Sequence, residues 1–465
     1  MIVVIEPDVL ERILGTAMAG GAEFAEVFAE NRRSVSASLD DGKVEQVTSS
    51  RDRGAGIRVV AGETTGYAYT SDLSEKGLAE AARTAAAAAK GGSPGQRVVA
   101  LPSAYSRPAV IERDPSGVAT DAKVALLLAA DEAARSAGGE IVQVSAGYGD
   151  SRRSVLIANT EGVFATDEQV RVLMRISAVA SGDAGMQTGY QSMGHTRGWE
   201  VFDEVDVEQF AREAARQAIT KLSARPAPSG TMPVVIQRGT GGVLFHEACG
   251  HGLEADLIAK GASVYAGRVG ELVASPLVTL VDNGDMPGEW GTLGIDDEGH
   301  PTQHNVLIKD GVLTDYMWDV LRARRAGRSG SGNGRRQSYR HLPMVRMTNT
   351  YVLDGADDPD DIVAATDHGV YVAHLGGGSV NTASGDFVFG MTEAYLIEGG
   401  RITEPLRDGN LIGNGPKVLA DIDMLGNDFA MGSPGTCGKD GQGVPVGDGQ
   451  PTLRVAALTV GGTAA

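Results

Sequence analysis

The sequence predicts an α+β fold: an N-terminal α+β domain with antiparallel sheet and helices, then a β-rich, barrel- or sandwich-like C-terminal domain. Three observations lead there. The 64 glycines, set against only 5% aromatic residues in 465 positions, signal many tight turns and therefore much antiparallel sheet. Helical patterns alternate with hairpin signals in the first half, whereas the second half is mostly strand-like. Between them lies Arg225-Pro226-Ala227-Pro228-Ser229-Gly230, a stretch that reads as a domain boundary and divides the chain into 1–224 and 231–465.

Taken in order, Asp8 to Arg32 reads as helix, interrupted near Gly20-Gly21, and is followed by strands with turn signals at Asp41-Gly42 and Ala61-Gly62. An alanine-rich helix from Ser74 to Lys90 stops at Gly91-Gly92-Ser93-Pro94-Gly95. The order then recurs, which suggests two halves, 1–100 and 101–224. A helix from Asp121 to Ala137 stops at Gly138-Gly139 and leads into strands with a turn at Glu161-Gly162. A further amphipathic helix runs from Asp206 to Leu222. Beyond the boundary, turn signals stand between apolar runs at Asp282-Asn283-Gly284, Lys309-Asp310-Gly311 and Glu398-Gly399-Gly400. The segment from Ala326 to Gly334 reads as a flexible surface loop.

Composition narrows the function classes. Sixty acidic against 41 basic residues give a net charge of −19, which argues against nucleic acid and anionic membrane as partners. Two cysteines make no disulfide framework, so a reducing cytoplasm is expected. The start Met1-Ile2-Val3-Val4-Ile5-Glu6 lacks a basic region and meets a charge early, so neither a signal peptide nor a spanning segment is expected. No GxxxxGK[ST] string is present, and a phosphate-cradling loop is rejected.

The chemistry concentrates in His246-Glu247-Ala248-Cys249-Gly250-His251. Two histidines bracketing a glutamate supply imidazole ligands for Zn²⁺ and a base beside the water that the metal activates. The histidines are five apart, so on a regular α-helix they diverge by roughly 140°, too far to share one ion. The backbone must widen into a π-type turn or leave the helix before His251, and Gly250 and Gly252 allow that freedom. A catalytic zinc takes three protein ligands, and with Glu247 as base the third must come from elsewhere. Cys249 lies within reach by spacing. Cys437 lies in the loop Gly435-Thr436-Cys437-Gly438-Lys439, where a nearby cation favours thiolate. Local chemistry leaves both cysteines open, with Cys437 slightly ahead. Arg340, His341, Arg346 and Tyr351 are weighed as oxyanion or carboxylate contacts and left outside the site.

The string from His246 through Glu254, followed by Asp256, resembles the signature of the TldD/PmbA family of metallopeptidases, on its TldD side. So do Arg340-His341-Leu342-Pro343-Met344-Val345-Arg346 and the tail Cys437-Gly438-Lys439-Asp440-Gly441-Gln442 running on to Leu453. The resemblance spans essentially the whole chain; Ala255 stands where glycine is common. It implies Zn²⁺ held by His246, His251 and Cys437, with Glu247 as base and Cys249 a bystander. It also implies hydrolysis of peptides and unfolded polypeptides, and either a heterodimer with a PmbA-type paralogous subunit or a homodimer. Glu254 and Asp256 are expected to orient a ligand imidazole. Two other readings stay open: a non-catalytic partner or scaffold whose structural metal is closed by Cys249, and a metal-dependent hydrolase of a non-peptide bond.

Overall fold

The computed structural model of the chain describes residues 5–19, 21–89, 100–102, 105–183 and 185–462. Helix α1 (Pro7–Met18) leads into a meander of β1 (Phe24–Asp40), β2 (Lys43–Ala61) and β3 (Thr64–Thr70), followed by helix α2 (Glu75–Ala88). The order returns as α3 (Thr120–Ser136), β4 (Ile141–Asn159), β5 (Phe164–Gly182), β6 (Gly185–His195) and α4 (Val207–Leu222). β1 pairs antiparallel with β4, so the two meanders fuse into one sheet ordered β3-β2-β1-β4-β5-β6. The helix-then-hairpin recurrence is therefore a recurrence of architecture.

Local chemistry explains most boundaries. Asp41 (φ 48°) and Gly42 (φ 74°) make the tight β1–β2 turn. Ser74 caps α2 by accepting from Gly77 N, and Asp206 caps α4 by accepting from Gln209 N. The Gly91–Gly95 stop lies outside the described residues, as does Gly20. The helix expected to reach Arg32 ends at Met18 instead, and Phe24–Arg33 is the start of β1. Its Ala/Glu content looks helical, but Glu26 and Glu30 are buried because Arg58 and Arg153 meet them across the sheet, at 2.9 and 2.8 Å. Tertiary pairing has overridden local propensity there.

The outer face of the sheet carries helices at both ends. α1 and α2 cover Val27, Ala29, Ala55 and Ile57; α3 and α4 cover Ala37, Leu39, Ala146 and Met174. The inner face meets the second half of the chain through buried ion pairs, Arg58 with Glu298 at 2.7 Å and Arg153 with Asp297 at 2.9 Å. Arg336 from the second half also pairs with Glu26.

In the second half, β7 (Gly230–Ile236) runs into the short helix α5 (Gly242–Phe245). Later come β8 (His368–Val380), β9 (Asp386–Glu398), β10 (Gly409–Asn414), β11 (Gly435–Lys439), β12 (Gln442–Gln450) and β13 (Leu453–Gly461). The ring β8-β7-β13-β10-β9 closes because β9 pairs back onto β8, forming a five-stranded barrel. A closed barrel leaves no strand edge within the ring. A second sheet includes Leu280–Asn283, His304–Lys309 and Asn349–Val352, the last parallel to β12.

Two turn signals are hairpins, with Asp310 (φ 48°), Gly311 (φ 80°), Gly399 (φ 56°) and Gly400 (φ 69°) in the left-handed region. At Asp282-Asn283-Gly284 the strand does end, but the chain makes the excursion 284–303 before His304–Lys309 pairs back. The second half holds further short helices besides α5, at Ala255–Ala259, Val320–Arg325, Pro359–Ala364 and Gly415–Ala420. The segment expected to be a flexible surface loop is exposed only at first. Its end is buried, where Asn333 donates to Asp282 Oδ2 at 2.7 Å and to the Arg346 carbonyl at 3.1 Å. No helix among the described residues is long and apolar enough to cross a membrane.

Candidate metal centre

α5 leaves the barrel strand β7 and carries His246 at its end. The next residues, His246–Gly250, form a π-type turn in which the His251 N–H bonds to the His246 carbonyl. That single wide turn brings side chains five apart onto one side. The two imidazoles stand edge to face with centroids 5.1 Å apart.

The flanking glycines act differently from the expectation. Gly250 is right-handed (φ −53°, ψ −52°), so a left-handed backbone is not what it provides. A Cβ there would lie 2.2 Å from Met347 Sδ, and one on Gly252 would lie 2.7 Å from the Tyr265 ring. Close packing against the turn excludes side chains at both positions.

The third candidate arrives from far along the chain. Cys437 lies on β11, in a tight hairpin with β12 rather than in a loop, opposite Val444. The hairpin turns on Asp440 (φ 49°) and Gly441 (φ 73°). Its position is held by backbone acceptors: Trp290 Nε1 donates to the Gly435 carbonyl at 2.8 Å, Arg335 to the Pro445 carbonyl at 2.7 Å, and Arg346 to the Cys437 carbonyl. Cys437 Sγ comes to 3.3 Å from His251 Nε2. His246, His251 and Cys437 are all buried and offer ligand atoms within 4.8 Å of one another.

Cys249 is elsewhere. It is fully buried, donates to the Phe245 carbonyl at 2.9 Å, and burial pushes its thiol up to about 12. Cys249 is thus not in position to close the site as a fourth ligand.

Electrostatics sharpen the picture. Burial alone would raise the Cys437 thiol, but the adjacent imidazoles of His246 and His251, the latter 3.3 Å from its Sγ, outweigh it and hold the group down to about 4. Burial works against charge on both imidazoles too, yet their pKa values rise, through Cys437 for His246 and through Glu254 and Cys437 for His251. A thiolate with two imidazoles is a donor set that favours a bound cation. Both ring nitrogens of the buried His246 lack a hydrogen-bond partner. Buried polar atoms without partners are rare, and a bound cation would satisfy one of them. On donor chemistry and on these orphaned atoms, the residues present fit a soft divalent ion such as Zn²⁺.

The surrounding residues fall into place with one reassignment. Glu254 is fully buried; its Oε2 lies 3.1 Å from His251 Nδ1 and accepts from Lys439 Nζ at 2.8 Å. Asp256 also accepts from Lys439, at 2.7 Å, and so supports Glu254 rather than an imidazole. Lys439, read from the sequence as a cation near the thiol, instead ties the Cys437 hairpin to the segment after His251. Burial pushes Asp448 up to about 7; its carboxylate lies directly against Gly242, where α5 begins, and no local string announced it. Glu247 is part-exposed, with Oε2 3.9 Å from His251 Nε2, so a carboxylate borders the cluster on a side open to solvent.

The four residues weighed as donors to substrate are engaged elsewhere. Arg340 pairs with Asp52, His341 lies 2.9 Å from Ser338 Oγ, Arg346 serves the Cys437 carbonyl, and Tyr351 contacts Asn283.

Profiles of the PmbA/TldA metallopeptidase family match the chain in three parts: domain 1 over residues 25–89, the central domain over 113–222 and the C-terminal domain over 229–462. A metalloprotease TldD homolog of Haemophilus influenzae is 42% identical over 450 residues, covering 95% of this chain and 93% of its own. A TldD homolog of Buchnera aphidicola is 39% identical over 453 residues with the same coverage, and a metalloprotease of Methanothermobacter thermautotrophicus is 36% identical over 442 residues, covering 95% and 96%. Among solved structures, a candidate DNA gyrase modulator of Thermotoga maritima superposes with a TM-score of 0.80 at 22% identity, covering 98% of this chain and 99% of its own. TldE from Thermococcus kodakarensis superposes at 0.77 with 20% identity, covering 97% and 99%.

Proposed function

The chain belongs to the PmbA/TldA metallopeptidase family, and from that footing we propose that it is a TldD-type zinc peptidase acting on peptides and unfolded polypeptides. The observation that carries the reading is the convergence of His246, His251 and Cys437 within 4.8 Å, with Glu247 beside them. His246, His251 and Cys437 would hold Zn²⁺, and Glu247 remains free to work as the base. When bound, the metal supplies Lewis acidity, polarising a carbonyl and making water a better nucleophile near neutral pH.

The protein's own residues do the rest. The Glu247 carboxylate takes the proton of the attacking water and delivers it to the leaving amine, work that typically contributes about 10²–10⁴-fold. Glu254 accepts from His251 Nδ1–H, fixing the tautomer that leaves Nε2 free to coordinate. Lys439 fixes Glu254 in turn, and the hydrogen bond from Arg346 to the Cys437 carbonyl sets the direction of the thiolate.

We further propose the domain division at Arg225–Gly230, a cytoplasmic setting, and assembly either with a PmbA-type paralogous subunit or as a homodimer. The likeness to TldE supports a paralogous partner of the same fold. The test is cleavage of an unstructured protein and of a stably folded one, with and without a zinc chelator, by the chain alone and with a PmbA-type subunit. Chelator-sensitive cleavage of the unstructured substrate alone is expected. Cleavage indifferent to chelator, or a folded substrate cut as fast as its unfolded form, would overturn the proposal.

A further inference from the structure

The outer face of the N-terminal sheet is covered by α1 and α2 at one end and by α3 and α4 at the other. Between the two helix pairs, where β1 meets β4, a cavity of about 550 Å³ stays open. Three arginines cross its floor in register: Arg51 on β2 lies opposite Arg33 on β1, and Arg33 lies opposite Arg152 on β4. All three line the cavity, with Ser49, Ser154 and, from the turn before α3, Ser116.

Like charges directly opposite across strands repel, so two successive arginine pairs are an unfavourable choice for a sheet that only needed to fold. The available carboxylates do not resolve it. Asp114 and Glu168 both pair with Arg152. Asp150, also in the lining, is taken by Lys123 at 2.6 Å and the Tyr148 hydroxyl at 2.9 Å. Arg51 Nε donates to the neutral Asn31 Oδ1 at 3.1 Å, and among the described residues neither Arg51 nor Arg33 has an ion pair. Two guanidinium groups thus face a cavity whose acids are already occupied, on a chain whose net charge is −19.

We propose that this cavity is a binding site for a small phosphate-bearing ligand, with Arg33 and Arg51 as its principal contacts. The guanidinium fork matches phosphate oxygens two at a time, and a dianion relieves the repulsion along the arginine row better than a single carboxylate does. Seryl hydroxyls of Ser49, Ser116 and Ser154 are donors for the remaining oxygens. The volume lies in the range of small-molecule sites. The site is separate from the metal cluster, because residues of β1 and β4 adjacent to the arginine row, Arg32 and Arg153, point to the opposite face of the sheet.

The experiment is isothermal titration of the full-length zinc-loaded protein with inorganic phosphate and with glucose 6-phosphate, at constant ionic strength held by chloride. Arg33→Ser and Arg51→Ser are compared with Arg53→Ser, which stands outside the cavity lining. One binding site is expected, weakened on the order of tenfold or more by either cavity variant and unchanged in Arg53→Ser. Unchanged peptide hydrolysis in all three variants would show that they are folded. Tighter binding of the sugar phosphate would identify an organic ligand, and equal binding free phosphate. No binding of either probe, or binding that survives both cavity substitutions, would overturn the proposal.

Discussion

Gly250→Ala is a sensitive probe of the π-type turn, because two explanations of that glycine give opposite signs. Gly250 has helical dihedrals, φ −53° and ψ −52°, which alanine adopts readily. If space were free, the substitution should stabilise by about 0.5–1 kcal/mol, since glycine costs that much relative to alanine in helical backbone. Space is not free. The added Cβ would lie 2.2 Å from Met347 Sδ and 3.2 Å from Met347 Cε. Ordinary contact needs roughly 3.5 Å or more, so the sulfur must retreat by more than about 1 Å. Met347 is fully buried and its carbonyl is held by Arg335, which limits that retreat. Overpacking of this kind typically costs about 1–3 kcal/mol. The net expectation is therefore a loss on the order of 1–2 kcal/mol, read from urea midpoints of the metal-free protein, with less zinc per chain after reconstitution. In a Met347→Ala background the sign should reverse, and Gly250→Ala should stabilise by about 0.5–1 kcal/mol. An equal loss in both backgrounds would refute the contact explanation.

Further outcomes follow from the same geometry. Cys437→Ala should lose most bound zinc while Cys249→Ala retains it; metal analysis after dialysis that gave the reverse would reassign the third ligand. Glu254→Gln should weaken zinc binding by about 10–100-fold, as loss of a group orienting a ligand imidazole usually does, measured by competition with a chromophoric chelator. Burial raises the Asp296 and Asp319 carboxyl groups to about 7 and about 6, from an ordinary 3.8. Folding takes up protons there, so their contribution to stability is complete below pH 3.8 and is lost as the pH climbs through 6 and 7. Between pH 6 and pH 8 the urea midpoint should accordingly fall more in the wild type than in an Asp296→Asn, Asp319→Asn double variant, and an equal change in both proteins would contradict the assignment.

Much of the site was legible because one helical repeat decides it. Histidines five positions apart cannot share an ion on a regular helix, so a π-type turn or a departure from the helix before His251 followed from spacing, and the structure shows the turn, at His246–Gly250. The choice between Cys249 and Cys437 did not, since it depends on a hairpin folding back across the chain, and local sequence carries no record of that approach. Lys439 was visible as a cation, but its partners Glu254 and Asp256 are set by the same fold-back. Asp448 gave no signal because an isolated aspartate in a glycine-rich strand reads as a turn residue. In the fold, capped helices and Asp–Gly turns were readable from local chemistry. The start of β1 was not, because Glu26 and Glu30 owe their burial to arginines brought alongside from β2, β4 and Arg336.

The most direct measurement is zinc content together with hydrolysis of an unstructured polypeptide, wild type beside Glu247→Gln, each alone and with a PmbA-type subunit. The account predicts about one zinc per chain in both proteins and cleavage only by the wild type. Full activity in the Glu247→Gln protein would remove Glu247 as the base. Zinc retained in both with no proteolysis under any condition would contradict a peptidase centre and favour a structural metal or a different bond as substrate.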